Sequence, residues 1–207
     1  MERYIDPNMI SVPYGYLVEA FKTNLNVPTD FKILETGDIY YGDSGITDGN
    51  GKLIKITKNS IQIIADGFEA PLTGITYYKG NFYVSHLGSI TMVTKTGKKT
   101  DLLVGLPSYG DHHNNRVAFG KDEKMNFGQG TATNSGVVGL DNNWVKSHPH
   151  FRDFPAKPVK VNGHIFKTKI NIDFKNKIIL TGAFAPFGTL TYFNEEIKKF
   201  FLEAVAY

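Results

Sequence analysis

The densest chemistry in this sequence is the run GDHHNNR at residues 110–116. A histidine there, His112 or His113, could serve as a general base, because its ordinary pKa lies near neutrality and a nearby carboxylate such as Asp111 can fix its tautomer. The same spacing equally suits two exposed loop histidines, His112 and His113, that cap a turn. A second histidine pair, His148-Pro149-His150, precedes Asp153. Imidazoles and a carboxylate are metal-ligand types, but Pro149 holds the residue before it extended and leaves the ring directions unset. A structural role is expected instead, with Trp144, Phe151 and Phe154 packing the segment down, and no metal site is assigned. Residues 43–52 (DSGITDGNGK) lack the D-x-[DN]-x-[DN]-G spacing and the closing Glu of a calcium loop, so they read as a hairpin turn. The G-x-G within residues 128–139 opens no helix pattern, so it is no dinucleotide fingerprint. There is no G-x-S-x-G, and Ser135 sits in turn-like sequence, so serine hydrolysis has no support. Residues 95–99 (KTGKK) read as a hairpin tip with solvated charges.

The elements that must position these groups recur. Residues 30–45, 73–88 and 116–131 align at a constant spacing of 43. Each reads as a strand, a short polar turn and a second, aromatic strand: Ile39-Tyr40-Tyr41, Phe82-Tyr83-Val84 and Met125-Asn126-Phe127. The first two units continue in parallel. Residues 51–57 and 88–94 supply a third strand, and residues 60–65 and 100–104 a fourth. Four short strands in a repeat of this length are the pattern of a β-propeller blade.

The third unit is interrupted by a loop over about residues 128–158 rich in Gly, Asn, His and Pro, of a length usually reserved for function. Strand-like residues 159–161 and 177–181 follow. Residues 194–206 suit a helix by composition, or the outer strands of a fourth blade by position. The sequence therefore predicts one all-β domain over 1–207, an incomplete propeller of about three to four blades. Their bounds are about 16–65, 73–104, 116–161 and, in part, 165–207. Its open edges would invite association with a second copy.

Composition agrees. The chain has 207 residues, no Cys, 41% hydrophobic and 21% charged residues, with 21 Gly, 11 Tyr and 15 Phe. That excludes disulfides, thiolate metal sites and cysteine nucleophiles, and argues against disorder and helical bundles. A net charge of +3, scattered along the chain, gives no nucleic-acid footprint. No window has the length of a transmembrane helix, and the first fifteen residues lack a signal-peptide pattern, so no membrane span and no export signal are expected.

Residues 106–130, LPSYGDHHNNRVAFGKDEKMNFGQG, resemble the pyrroloquinoline-quinone-dependent glucose/sorbosone dehydrogenase family. The likeness rests on Asp111-His112, Asn114-Asn115, the strand at 117–120, Asp122, and the aromatic strand ending in Gly128-x-Gly130. Residues 132–142 and 181–189 are similar to members of the same group. The resemblance implies a six-bladed propeller of which this chain matches the N-terminal half, and oxidation of a sugar or related alcohol or aldehyde. In it His112 would be the base for the sugar hydroxyl and Asp111 a sugar contact. Pyrroloquinoline quinone would be the hydride acceptor, met by His112, Asn114 and Arg116. The family's arginine and lysine clamp on the quinone, and its calcium ligands, lie in later blades. Its members are usually exported. The rival reading is a non-catalytic propeller used as a binding or scaffold module, or an inactive fragment. It is favoured by the arginine count: only Arg116 and Arg152 are internal, beside Arg3, whereas a tricarboxylate wants several cations. A metal-dependent lactonase-type propeller, lacking a carboxylate ligand set, ranks last.

Overall fold

The computed structural model describes residues 6–57, 59–134, 136–153, 159–160, 163–172, 175–191 and 196–197. The chain is all-β. Its first sheet contains β1 (Pro28–Ile33), β2 (Ile39–Asp43), β3 (Asn50–Ile56) and β4 (Ile61–Glu69), antiparallel and in sequence order. Its second has the same plan with β5 (Gly74–Tyr78), β6 (Asn81–His86), β7 (Ser89–Thr94) and β8 (Lys99–Leu103). These are blades 1 and 2. The β5–β6 hairpin shows how the sequence sets register. Lys79 and Gly80 both adopt positive φ (44° and 85°), as a two-residue primed turn requires, and Tyr78 pairs directly with Asn81.

Blade 1 stacks on blade 2 because each sheet is apolar on the facing side. Leu53, Phe68 and Leu72 meet Ile75, Phe82 and Val84 in one buried cluster. Within it the rings of Tyr40 and Tyr77 lie 4.5 and 4.9 Å from that of Phe82. Hydroxyl and carboxylate side chains then tie the first strand of each unit to the next. Thr29 Oγ1 donates to Leu72 O (3.0 Å), and Asp30 Oδ2 accepts from Ile75 N (3.1 Å). Thr73 Oγ1 donates to Asn114 O (2.6 Å), and Thr76 Oγ1 to Val117 O (2.5 Å). The other face of blade 1 leaves Phe31 and Ile33 63% and 62% exposed, beside an apolar groove of about 600 Å³.

The third unit departs from the expected blade. Among the described residues its sheet is the inner hairpin alone, β9 (Ala118–Phe119) against β10 (Met125–Asn126). Val159–Lys160 (β11), expected as a strand of that blade, pairs instead with Glu196–Ile197 (β14). The reason lies in the segment after Phe127, which folds back along residues 111–115 and forms its own core from Ala132, Val138, Trp144 and Val145. Between β11 and β14 lies a hairpin of β12 (Ile165–Ile172) and β13 (Lys175–Gly182), which contains the strand expected at 177–181. Of residues 194–206 only 196 and 197 are described, and they are strand. The sheets, two of four strands and three of two, do not close into a ring among the described residues. No helix among them is long and apolar enough to cross a membrane.

Candidate functional site

The loop from β8 into β9 carries the Asp-His-His run, and the returning strand holds it flat. Asp111 N donates to Ala132 O (2.9 Å), Gly130 N to His113 O (3.1 Å) and Asn115 N to Gly128 O (2.8 Å), an antiparallel continuation of the β9–β10 pair. Glycine is required for this approach. A Cβ on Gly130 would sit 2.6 Å from both His112 Cβ and His113 O, and one on Gly110 2.4 Å from Ala132 Cα. A cavity of about 510 Å³ opens over the ladder, walled by Thr73, Asp111, His112, His113, Asn115, Gln129 and Thr131.

The two histidines differ in what they offer. His113 Nδ1 lies 2.7 Å from Ser108 O. A backbone carbonyl only accepts, so Nδ1 carries the proton and the neutral ring keeps its lone pair on Nε2. His112 Nε2 is 2.6 Å from Asn134 Oδ1, and donation to that oxygen leaves its lone pair on Nδ1. His112 and His113 thus both border the cavity, and His113 is the one whose tautomer a carbonyl fixes.

Gln129 adds a group that sequence reasoning missed. Its Nε2 donates to Pro107 O (3.0 Å), Ser108 Oγ (3.2 Å) and Gly130 O (3.4 Å). Two of those acceptors are carbonyls, which fixes the amide orientation and turns Oε1 the other way. That oxygen is buried and has no donor. An unmatched buried acceptor costs about 1–3 kcal/mol, and this one is closed off from solvent in a residue that lines the cavity. The only sequence signal for it was the Gly128-Gln129-Gly130 triplet.

Of the other expected site residues, Asp111 lines the cavity and Asn114 and Arg116 do not. The Asp111 carboxylate accepts from Asn142 Nδ2 (3.0 and 2.9 Å) and from Trp144 Nε1 (3.2 Å), mooring the long loop. Asn114, expected from the resemblance to meet a cofactor, is instead 0% exposed and wedged between blade 2 and the third unit. Arg116 is 59% exposed, with Nη1 3.4 Å from Asp30 Oδ1 of blade 1, outside the cavity wall. Asp153 accepts from Ala132 N (2.6 Å), Thr133 N (3.1 Å) and Thr133 Oγ1 (2.8 Å). His148 stacks on Tyr109 at 3.9 Å, and Phe151 sits edge-on to Trp144 at 5.3 Å. His148 of the second histidine run is thus held by stacking and Phe151 by its contact with Trp144, while Phe154 and Ser135 fall outside the described residues. Among the described residues no three acidic or histidine side chains converge as a metal site.

The mooring makes a prediction. Asp111→Ala should unpair the indole of Trp144, the single tryptophan of the chain, and cost about 1–3 kcal/mol. Tryptophan emission should shift to the red and acrylamide quenching should rise. An unchanged spectrum would mean that the loop holds without Asp111.

The donor set bears on the cofactor that the resemblance implies. Pyrroloquinoline quinone carries three carboxylates, which bind tightly where arginine or lysine can pair with them. The cavity wall presents amides, hydroxyls, imidazoles and Asp111 but no Lys or Arg. The residues present do not fit that group. Set against known proteins, the chain matches no family model, and no curated protein is significantly similar to it.

Proposed function

We propose that this chain is a propeller-type binding module whose loop-mouth cavity takes a small neutral polyhydroxyl compound, a sugar or related alcohol. The supporting observation is the uncommitted acceptor on the cavity wall, His113 Nε2, beside the Gln129 amide. Acceptors that lack donors select hydroxyl-bearing ligands, and the absence of Lys and Arg from the wall disfavours anionic ones. Asn115 and Thr131 extend the polar wall. Oxidation of the bound sugar, with His112 as base and Asp111 beside it, is the reading that the family resemblance implies. It requires a quinone that these residues are not equipped to hold.

Titration calorimetry against a panel of neutral monosaccharides and polyols tests the proposal, with pyrroloquinoline quinone as a parallel arm. Saturable sugar binding that is lost in Gln129→Met is the expected result. Saturable quinone binding would favour the dehydrogenase reading, and heat from neither ligand would remove the binding module.

A further inference from the structure

Away from the cavity, the junction between blades 1 and 2 holds a buried histidine that the binding reading does not use. A crevice of about 280 Å³ lies between Phe68 and Glu69 of β4 and His86, Thr91, Lys99 and Asp101 of blade 2. Its bond directions are fixed. Thr91 Oγ1 is 2.7 Å from Asp101 Oδ1 and 2.9 Å from His86 Nε2. A carboxylate only accepts, so the threonine hydrogen goes to Asp101 and the threonine oxygen accepts from His86 Nε2–H. The neutral ring then keeps its lone pair on Nδ1. That atom is buried without a partner, in a side chain only 8% exposed. The Phe68 ring closes over the imidazole at 5.3 Å, and Lys99 lies 5.0 Å above Phe68 while its Nζ donates to Asp66 O (2.7 Å). One main-chain bond crosses the junction here, from Leu87 N to Glu69 O at 3.3 Å.

We propose that His86 is an acid-sensitive latch: uptake of a solvent proton at Nδ1 places a cation at this buried position and loosens blade 1 from blade 2 at the Leu87–Glu69 contact. The charged groups facing the ring are Glu69 from β4 and Asp101 and Lys99 from β8. Burial holds the His86 pKa below its ordinary 6.5; the two acids work against that shift and Lys99 works with it. The sign follows. Between the lowered folded value and 6.5 the unfolded chain binds more protons, so the His86 contribution falls as pH drops through that window and is level above 6.5.

Hydrogen exchange at the Leu87 amide, corrected for the intrinsic rate, tests the latch in the wild type and in His86→Gln. Glutamine can still donate to Thr91 but does not titrate. Wild-type protection should fall several-fold between about pH 7.5 and about pH 5, the range over which a histidine titrates, and stay level in the variant. Equal pH dependence in both proteins overturns the proposal. Should the variant not fold, the His86 ring resonances of the wild type decide. Titration below 6.5 in step with Leu87 exposure upholds the latch, and titration at 6.5 or out of step overturns it.

Discussion

Asn114→Ala is expected to lower the unfolding free energy by about 3–5 kcal/mol, since each buried group left unpaired costs about 1–3 kcal/mol. Asn114 Oδ1 accepts from Gly88 N (3.1 Å) and from Ser108 Oγ (2.9 Å), and Nδ2 donates to Ser89 O (3.0 Å). Its own N–H donates to Ser108 Oγ at 3.2 Å, and its carbonyl accepts from Thr73. One fully buried amide thus joins the β6–β7 turn of blade 2 to the loop that carries His113. Alanine removes the acceptor of the Gly88 N–H and of the Ser108 hydroxyl hydrogen and the donor to the Ser89 carbonyl, at a position where Asn114 itself is fully buried. Urea unfolding measures the loss, with the exposed neighbour Asn115→Ala as the control expected to change stability by less than about 0.5 kcal/mol. Equal effects at the two positions would mean that Asn114 does not bridge the units.

The second large effect is expected at Gly130. Its backbone needs no unusual φ, so alanine is refused by space alone. The added methyl would meet His112 Cβ and His113 O at 2.6 Å and His112 C at 2.7 Å, and the backbone among these cannot swing aside as a flexible side chain would. The ladder between 111–115 and 128–132 must part, which carries both histidines away from Gln129. Overpacking of this kind costs about 1–3 kcal/mol, but the larger consequence is loss of the cavity. Gly130→Ala should abolish sugar binding while the amide resonances of β1–β8 keep their wild-type positions. Retained binding would place the ligand elsewhere.

The blades were legible in the sequence because strand, turn and strand repeat at a fixed spacing, with an aromatic second strand each time. The Lys79-Gly80 turn shows the logic: a glycine between two alternating runs requires a tight hairpin, and the structure forms one. The third unit was less legible. Val159 reads as a strand locally, but its partner is Ile197, and long-range pairing leaves no local trace. At the site, the Asp-His-His run marked the right loop but not the division of labour within it. Asn114 and Asn115 are chemically identical neighbours, and only packing decides that the first is buried and the second lines the cavity. The orphan oxygen of Gln129 and the bare Nδ1 of His86 depend on which partners the remaining amide and imidazole atoms find. Those partners are fixed only once segments distant in sequence meet.

His113, beside Gln129 on the cavity wall, presents an unused Nε2 acceptor to a hydroxyl-bearing ligand. Long-range nitrogen-15 spectra of the imidazoles, recorded with and without a neutral monosaccharide, test it most directly. The expected result is a His113 ring protonated at Nδ1 in the free protein, with an Nε2 resonance that shifts saturably as sugar is added. A ring protonated at Nε2, or an Nε2 resonance indifferent to every sugar tried, would contradict it.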